Sequence, residues 1–271
     1  MNNTPNVRDK RTITDFGDQW SRYQDSGGWY GSQEMLADIF GPLLTLNDIR
    51  DKYVAEIGSG SGRIVNMLIM SDVKHIVAIE PSNAFPVLQR NTKAYGGRVE
   101  CLHLRGDRIP QDRGFDYVFS IGVLHHIEDP APSVKAAYGS LKSGGKMLIW
   151  IYGREGNETY LKFVEPMRRL TSRLSAPVLA ILCHLINLWL AVYIGLCRLF
   201  PLPLHSYVNN VLVKLSWRKR HLIIYDQLNP TVAHYYHEGE ARELLEQAGF
   251  QQVRLHHRHG YSWTVIGTKP E

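Results

Sequence analysis

Cysteine is scarce. The 271 residues hold three, Cys101, Cys183 and Cys197, all in apolar runs and none in a Cys-x-x-Cys pair. That excludes a disulfide scaffold and offers no thiol arrangement for zinc or redox work, so a reducing, cytoplasmic setting is expected. Met1–Arg11 is polar, without the apolar core that a signal peptide carries. Internal repeats and low-complexity segments are absent. Charged residues are 21% against 44% hydrophobic, which excludes wholesale disorder and predicts one large domain or a domain carrying an insertion. Acid is thin in one place. From Arg154 to Tyr235 ten Lys/Arg face four Asp/Glu, so this segment is +6 and the rest of the chain is −1 of the net +5. The basic clusters flank an apolar run. They do not interleave with aromatics along a groove, as nucleic-acid binding requires, and nucleic acid is not an expected partner.

What is present has a strand–turn–helix rhythm. Two N-terminal helices come first. Thr14 is placed to cap one with Phe16, Trp20 and Tyr23 on a single face, and Ser32 to cap the next, which Gly41-Pro42 stops. Strands are expected at 53–57, 75–79, 99–104, 117–121 and 146–152, with helices between them. After residue 237 come a helix bearing Ala241, Leu244, Leu245 and Ala248, and two closely joined strands at 253–257 and 263–267. Alternating strands and helices predict a parallel sheet covered on both faces, and the tight late pair predicts an antiparallel end.

In such a sheet, ligands bind at the carboxyl ends of the strands, so these ends hold the candidate site. The first ends in Glu56-Ile57-Gly58-Ser59-Gly60-Ser61-Gly62-Arg63. Glycines at 58, 60 and 62 permit a tight turn and close approach of a ligand, and the next helix offers free N–H groups. The dinucleotide fingerprint needs its third glycine at 63, where this chain has Arg63, and Glu56 suits a cation better than a pyrophosphate. A nicotinamide oxidoreductase is therefore disfavoured. Glu80 ends the second strand, where a carboxylate can accept from both hydroxyls of a ribose. Asp107 follows the third and can accept from a purine amine. Val123-Leu124-His125-His126 follows the fourth.

Together, Glu-x-Gly-x-Gly-x-Gly, the acid after strand two, Gly106-Asp107, Phe115-Asp116-Tyr117-Val118 leading to His125-His126, and the Leu141-Lys142-Ser143-Gly144-Gly145 turn resemble the class I S-adenosylmethionine-dependent methyltransferases. The resemblance covers residues 50–153 and 238–268. It implies a Rossmann-like, seven-stranded, mostly parallel sheet with the last strand antiparallel. It also implies S-adenosylmethionine as cofactor, with Glu56, Gly58, Ser59, Gly60 and Gly62 around its methionine part. Glu80 would hold the ribose, Asp107 the adenine amine, and Ile121 and Val123 the adenine face. Trp20, Tyr23 and Tyr30 are candidate lid residues. An oxygen acceptor needs a base, for which His125 and His126 are the candidates. Tyr30, His234, Tyr235 and Tyr236 are candidate acceptor contacts. No metal site is expected, because His256, His257 and His259 alternate along a strand and do not converge. No Asn/Asp-Pro-Pro-aromatic motif follows strand four, as amino-methylating enzymes of nucleic acids tend to carry.

Residues 1–50 read as N-terminal helices over the cofactor site, 51–153 and 236–271 as the core, and 154–235 as a helical insertion. From Leu174 to Cys197 there is no charge, and a helix is expected from Ala176 to Leu199. The length would suit a membrane span, but a single crossing would put the strands of one sheet in two compartments. An acceptor lid, a monotopic element on a bilayer face and a homo-oligomer interface stay open. The expected function is methylation, favouring oxygen, of a small apolar or lipid-like acceptor. A non-catalytic, cofactor-binding subunit at a membrane or in a complex is the alternative.

Overall fold

The computed structural model describes residues 7–23, 27–230 and 232–271. Among these residues seven strands form one sheet in the order β3-β2-β1-β4-β5-β7-β6. They are β1 (Tyr53–Ile57), β2 (His75–Ile79), β3 (Val99–Leu102), β4 (Phe115–Ile121), β5 (Leu141–Tyr152), β6 (Gln251–Arg258) and β7 (Ser262–Thr268). Strands β1 to β5 pair in parallel, and β7 runs antiparallel to both β5 and β6. The fifth strand begins earlier than its sequence indicates. Its register jumps from Phe115↔Leu141 to Tyr117↔Lys146, so the Ser143-Gly144-Gly145 turn is an irregularity within β5.

Side chains alternate between the two faces. Val54, Ile76, Ala78 and Phe119 pack under α2 (Gln33–Phe40), α3 (Arg63–Met70) and α4 (Phe85–Thr92). Ala55, Val77, Ile79 and Val118 pack under α5 (Ala131–Ser140) and α10 (Glu238–Glu246). Ser32 caps α2, its hydroxyl accepting from Met35 N at 3.2 Å. The expected cap at Thr14 is a correction. Helix α1 spans Val7–Arg22, so Thr14 lies mid-helix and its hydroxyl donates to the Lys10 carbonyl at 3.0 Å.

The chain leaves β5 at Gly153 and returns at Tyr236, and these two residues bridge. Between them lie α6 (Glu158–Thr171), α7 (Ala176–Cys197), α8 (His205–Asn210) and α9 (Trp217–Leu228). Helix α7 ends two residues before the expected Leu199. One of its faces is packed: Leu179 and Cys183 against Ile224 and Tyr225 of α9, and Ile194 and Cys197 against Val208 of α8. Asn187, fully buried, donates to the Trp217 carbonyl at 3.0 Å and ties α7 to the start of α9.

Candidate active site

The sheet order reverses between β1 and β4, and a cavity of about 150 Å³ opens at their carboxyl ends. Its floor is the glycine turn. Gly58 and Ser59 both donate to the Ile79 carbonyl, at 2.8 and 3.0 Å, which pins the turn to β2. Gly58 has φ +79°, and a Cβ there would stand 2.5 Å from Val123 Cγ2. Gly60 has φ +53°, and a Cβ there would meet the Trp20 ring at 3.2 Å. Only glycine leaves this cradle open. Glu80 closes it: Oε2 accepts from Gly60 N at 2.7 Å and Oε1 from Ser82 N at 2.9 Å. A carboxylate has about four acceptor positions, so Glu80 keeps two for a ligand.

Glu56 faces the same cavity, 1% exposed, and its Oε2 has no hydrogen-bond partner among the described residues. Burial raises its carboxyl to about 8. An orphaned buried carboxylate calls for a cationic donor. The amino group of S-adenosylmethionine is one, so the residues present fit that cofactor.

Most of the expected cofactor residues line this cavity: Glu56, Gly58, Ser59, Gly60, Glu80, Ile121 and Val123. Two do not. Gly62 caps α3, and its missing Cβ admits Leu88 and Thr92, so it serves helix packing. Asp107 is turned to Arg105, accepting from Nε at 3.1 Å, and it is Arg105 and Gly106 that reach the cavity wall.

A second cavity, about 720 Å³, lies under the insertion. Its walls are mainly aromatic and aliphatic: Tyr152, Tyr160, Val164, Ile186, Leu190 and Tyr207 among them. Trp20, Arg63, Ile121, Gly122 and Asp226 line both cavities and form the junction. Of the three expected lid residues, Trp20 lies at the junction and Tyr30 lines the larger cavity, with the Arg63 guanidinium 4.2 Å from its ring centre. Tyr23 packs instead on His221 and Tyr225 of α9. Of the expected acceptor contacts beyond Tyr30, Tyr235 lines the larger cavity, its hydroxyl donating to Gln227 at 2.9 Å. His234 and Tyr236 line neither cavity; their main-chain N–H groups donate to the His125 and Tyr152 carbonyls.

The geometry argues against proton removal by either histidine. His125 is fully buried among His126, Trp150 and Tyr152 and lines neither cavity. Burial pushes its pKa well below the ordinary value. His126 borders only the smaller cavity, its Nδ1 is held by the Val232 carbonyl at 2.8 Å, and burial lowers it to about 3. A group that weakly basic is a poor proton acceptor at neutral pH. The three late histidines have separate partners: His256 lies against Gly41, His257 stacks on Trp263, and His259 bonds Asp38.

Asp226 is the functional candidate that the motifs miss. Among the described residues it is the only acid lining the larger cavity, and it stands at the junction with the smaller one, accepting from Gln19 Nε2 at 2.6 Å. Burial raises its carboxyl to about 6, opposed by Gln19 and the Arg63 charge. It lies on α9, outside every core motif. The available signal was its isolation: between Glu165 and Glu238 the sequence has no other acid.

The sheet order, with a cavity at its switch point, is that of the Rossmann-like methyltransferase fold. Residues 55–147 match the family model described as a methyltransferase domain. Curated relatives include the tRNA U34 carboxymethyltransferases of Pseudoalteromonas atlantica, 28% identical over 115 residues, and Vibrio vulnificus, 29% identical over 117. Each match takes in 42% of this chain but only 36% of the relative, so the chain spans about a third of their length. Among solved structures, magnesium protoporphyrin IX methyltransferase from Synechocystis with bound SAH has a TM-score of 0.57 at 16% identity, covering 97% of this chain and 98% of that one. An O-methyltransferase family protein from Burkholderia thailandensis has a TM-score of 0.55 at 14% identity, covering 88% and 56%. At these identities the structures speak to the fold.

Proposed function

We propose that the protein is a methyltransferase whose acceptor is an apolar or amphipathic small molecule held in the larger cavity, with oxygen as the favoured acceptor atom. The observation that carries this reading is the 720 Å³ apolar cavity meeting the cofactor cavity at Trp20, Arg63, Ile121, Gly122 and Asp226. Bound S-adenosylmethionine supplies an activated methyl group on a sulfonium, so the chain's own work is positioning and proton handling. Glu56 would hold the amino group and Glu80 the ribose, with Ile121 and Val123 against the base. Trp20, on α1, lines both cavities. Asp226 receives the proton of an acceptor hydroxyl presented at the junction. With a carboxyl at about 6, it is ionised at neutral pH yet more basic than an exposed aspartate.

A nucleic-acid acceptor is the second reading, raised by the names of the curated relatives. Against it stand the apolar walls of the cavity and basic groups that bracket a bare apolar helix. The test uses methyl-labelled S-adenosylmethionine with a total lipid extract and, separately, with tRNA. Label in the lipid fraction is expected. Leu190→Trp, which narrows the cavity, should raise acceptor KM at least about tenfold and leave cofactor affinity unchanged. Label in tRNA alone would overturn the reading. Retention of cofactor with no turnover on either would leave a non-catalytic binding subunit.

A further inference from the structure

The insertion carries a surface that the catalytic reading does not use. On α7, Val178, Ile181, Leu185, Leu188, Val192 and Leu196 follow one another at three or four residues and are all exposed. Such spacing lays them along one side of a helix. Trp189 stands in the same stripe, 77% exposed. Of the most apolar window of this helix only 22% is buried. The opposite side is fixed to α8 and α9, so α7 has one packed side and one bare side and lies along the body of the protein.

Charge says what kind of partner covers it. From Pro166 to Tyr225 the sequence has eight Lys/Arg and no acid. Arg169 and Arg173 lie just before α7 and Arg198 just after it, all exposed. A second copy seated on this stripe would bring Arg169, Arg173 and Arg198 against their own counterparts, which is repulsive. RNA would neutralise the cations but leave the apolar stripe bare. An anionic bilayer satisfies both: acyl chains take the stripe and headgroups the arginines at its ends. The cavity is continuous with apolar surface as well. Phe163, 70% exposed, and Met167 on α6 both line the larger cavity and reach solvent.

We infer that the protein docks on an anionic membrane surface through the outer side of α7, without crossing it, and takes its acceptor from the bilayer past Phe163 and Met167. The docking stands on the surface alone; the uptake of acceptor rests on the proposed function.

The test is co-sedimentation of the full chain with vesicles of phosphatidylcholine alone and of phosphatidylcholine with about a third phosphatidylglycerol, at low and high salt. Wild type is expected to sediment with the anionic vesicles, less with the neutral ones, and less again in high salt. Leu185→Glu with Leu188→Glu should cut the bound fraction at least about tenfold. Both residues are exposed, and an unchanged calorimetric affinity for S-adenosylmethionine shows that the variant is folded. Arg169→Gln with Arg198→Gln should abolish the preference for anionic vesicles. Wild type remaining in the supernatant overturns the docking, as does a glutamate variant that sediments like wild type. A dimer that the glutamate pair dissociates, with no vesicle binding, gives the stripe to a second copy. Retention of tRNA with no vesicle binding gives the cations to nucleic acid. Wild type that turns over a detergent-solubilised acceptor but binds no vesicles strikes the docking alone; wild type that binds vesicles but shows no turnover strikes the proposed function alone.

Discussion

Binding of S-adenosylmethionine should expel a proton from Glu56. Its carboxyl sits at about 8, so about nine-tenths of the cofactor-free protein carries it neutral at pH 7. An ammonium arriving beside the orphaned Oε2 favours the carboxylate, and that proton leaves. The incoming amine, with an ordinary pKa of about 7.7–8.0, is about one-tenth neutral at pH 7 and takes up about 0.1 proton. Net release is then about 0.8 proton at pH 7. At pH 9 the sign reverses, because Glu56 is already about nine-tenths ionised and the amine about nine-tenths neutral; about 0.8 proton is taken up. Calorimetry in phosphate and in Tris, whose ionisation enthalpies differ, reads this number. Glu56→Gln should abolish the release and weaken binding by about 1.5–3 kcal/mol, the size of a hydrogen bond to a charged group. The cofactor-free protein should also lose stability as pH rises from about 4.5 through about 8, since over that window the fold keeps a proton that the unfolded chain has lost, and Glu56→Gln should flatten the slope. Wild-type release below about 0.2 proton at pH 7, or equal release from the glutamine variant, would refute the assignment of Glu56 to the cofactor's cation.

Other variants test the rest of the site. Gly58→Ala forces a Cβ to 2.5 Å from Val123 at φ +79° and should weaken cofactor binding at least about tenfold; unchanged calorimetric affinity would show that the cradle is not the binding site. Asp226→Asn should lower kcat about 10²–10⁴-fold with cofactor affinity intact. In wild type, kcat should fall as pH drops through about 6, where Asp226 takes up its proton, and a flat profile would remove it from proton transfer. Arg258 is 1% exposed and donates to Asp38 at 3.0 Å through Nε, so Arg258→Ala should cost about 3 kcal/mol in denaturant unfolding, the low end for a broken buried pair because Asp38 keeps its bond to His259. Asp38 is held down to about 2, opposite to its burial, by His259 and Arg258. Its contribution is therefore present above about pH 4 and lost as pH falls through about 2, and an acid-unfolding midpoint unmoved by Arg258→Ala would contradict this.

The sequence by itself determined the sheet and most of the residues that line the smaller cavity. Strands buried on both faces read as short apolar runs, and β1 and β2 begin and end where those runs do. The glycines at 58 and 60, with Glu56 and Glu80, are local chemistry: a turn needing positive φ followed by acids at strand ends, legible because their spacing is fixed by one βαβ unit. Even there, direction was invisible. Gly62 and Asp107 have the right positions along the chain, yet one faces α4 and the other Arg105, and only packing decides where a side chain points. The acceptor half was decided by tertiary structure. His125 and His126 are polar letters at the right strand end, but the fold buries one entirely and fastens the other to the Val232 carbonyl. Asp226 is far from the glycine turn in sequence and reaches the junction because α9 folds back under α7. The absence of charge from Leu174 to Cys197 marked α7 as unusual and left three uses open. Packing gave the helix two sides: one tied to α8 and α9 and contributing to the cavity wall, the other bare. A one-dimensional run of apolar residues cannot make that distinction, because burial depends on which neighbours the chain brings back to it.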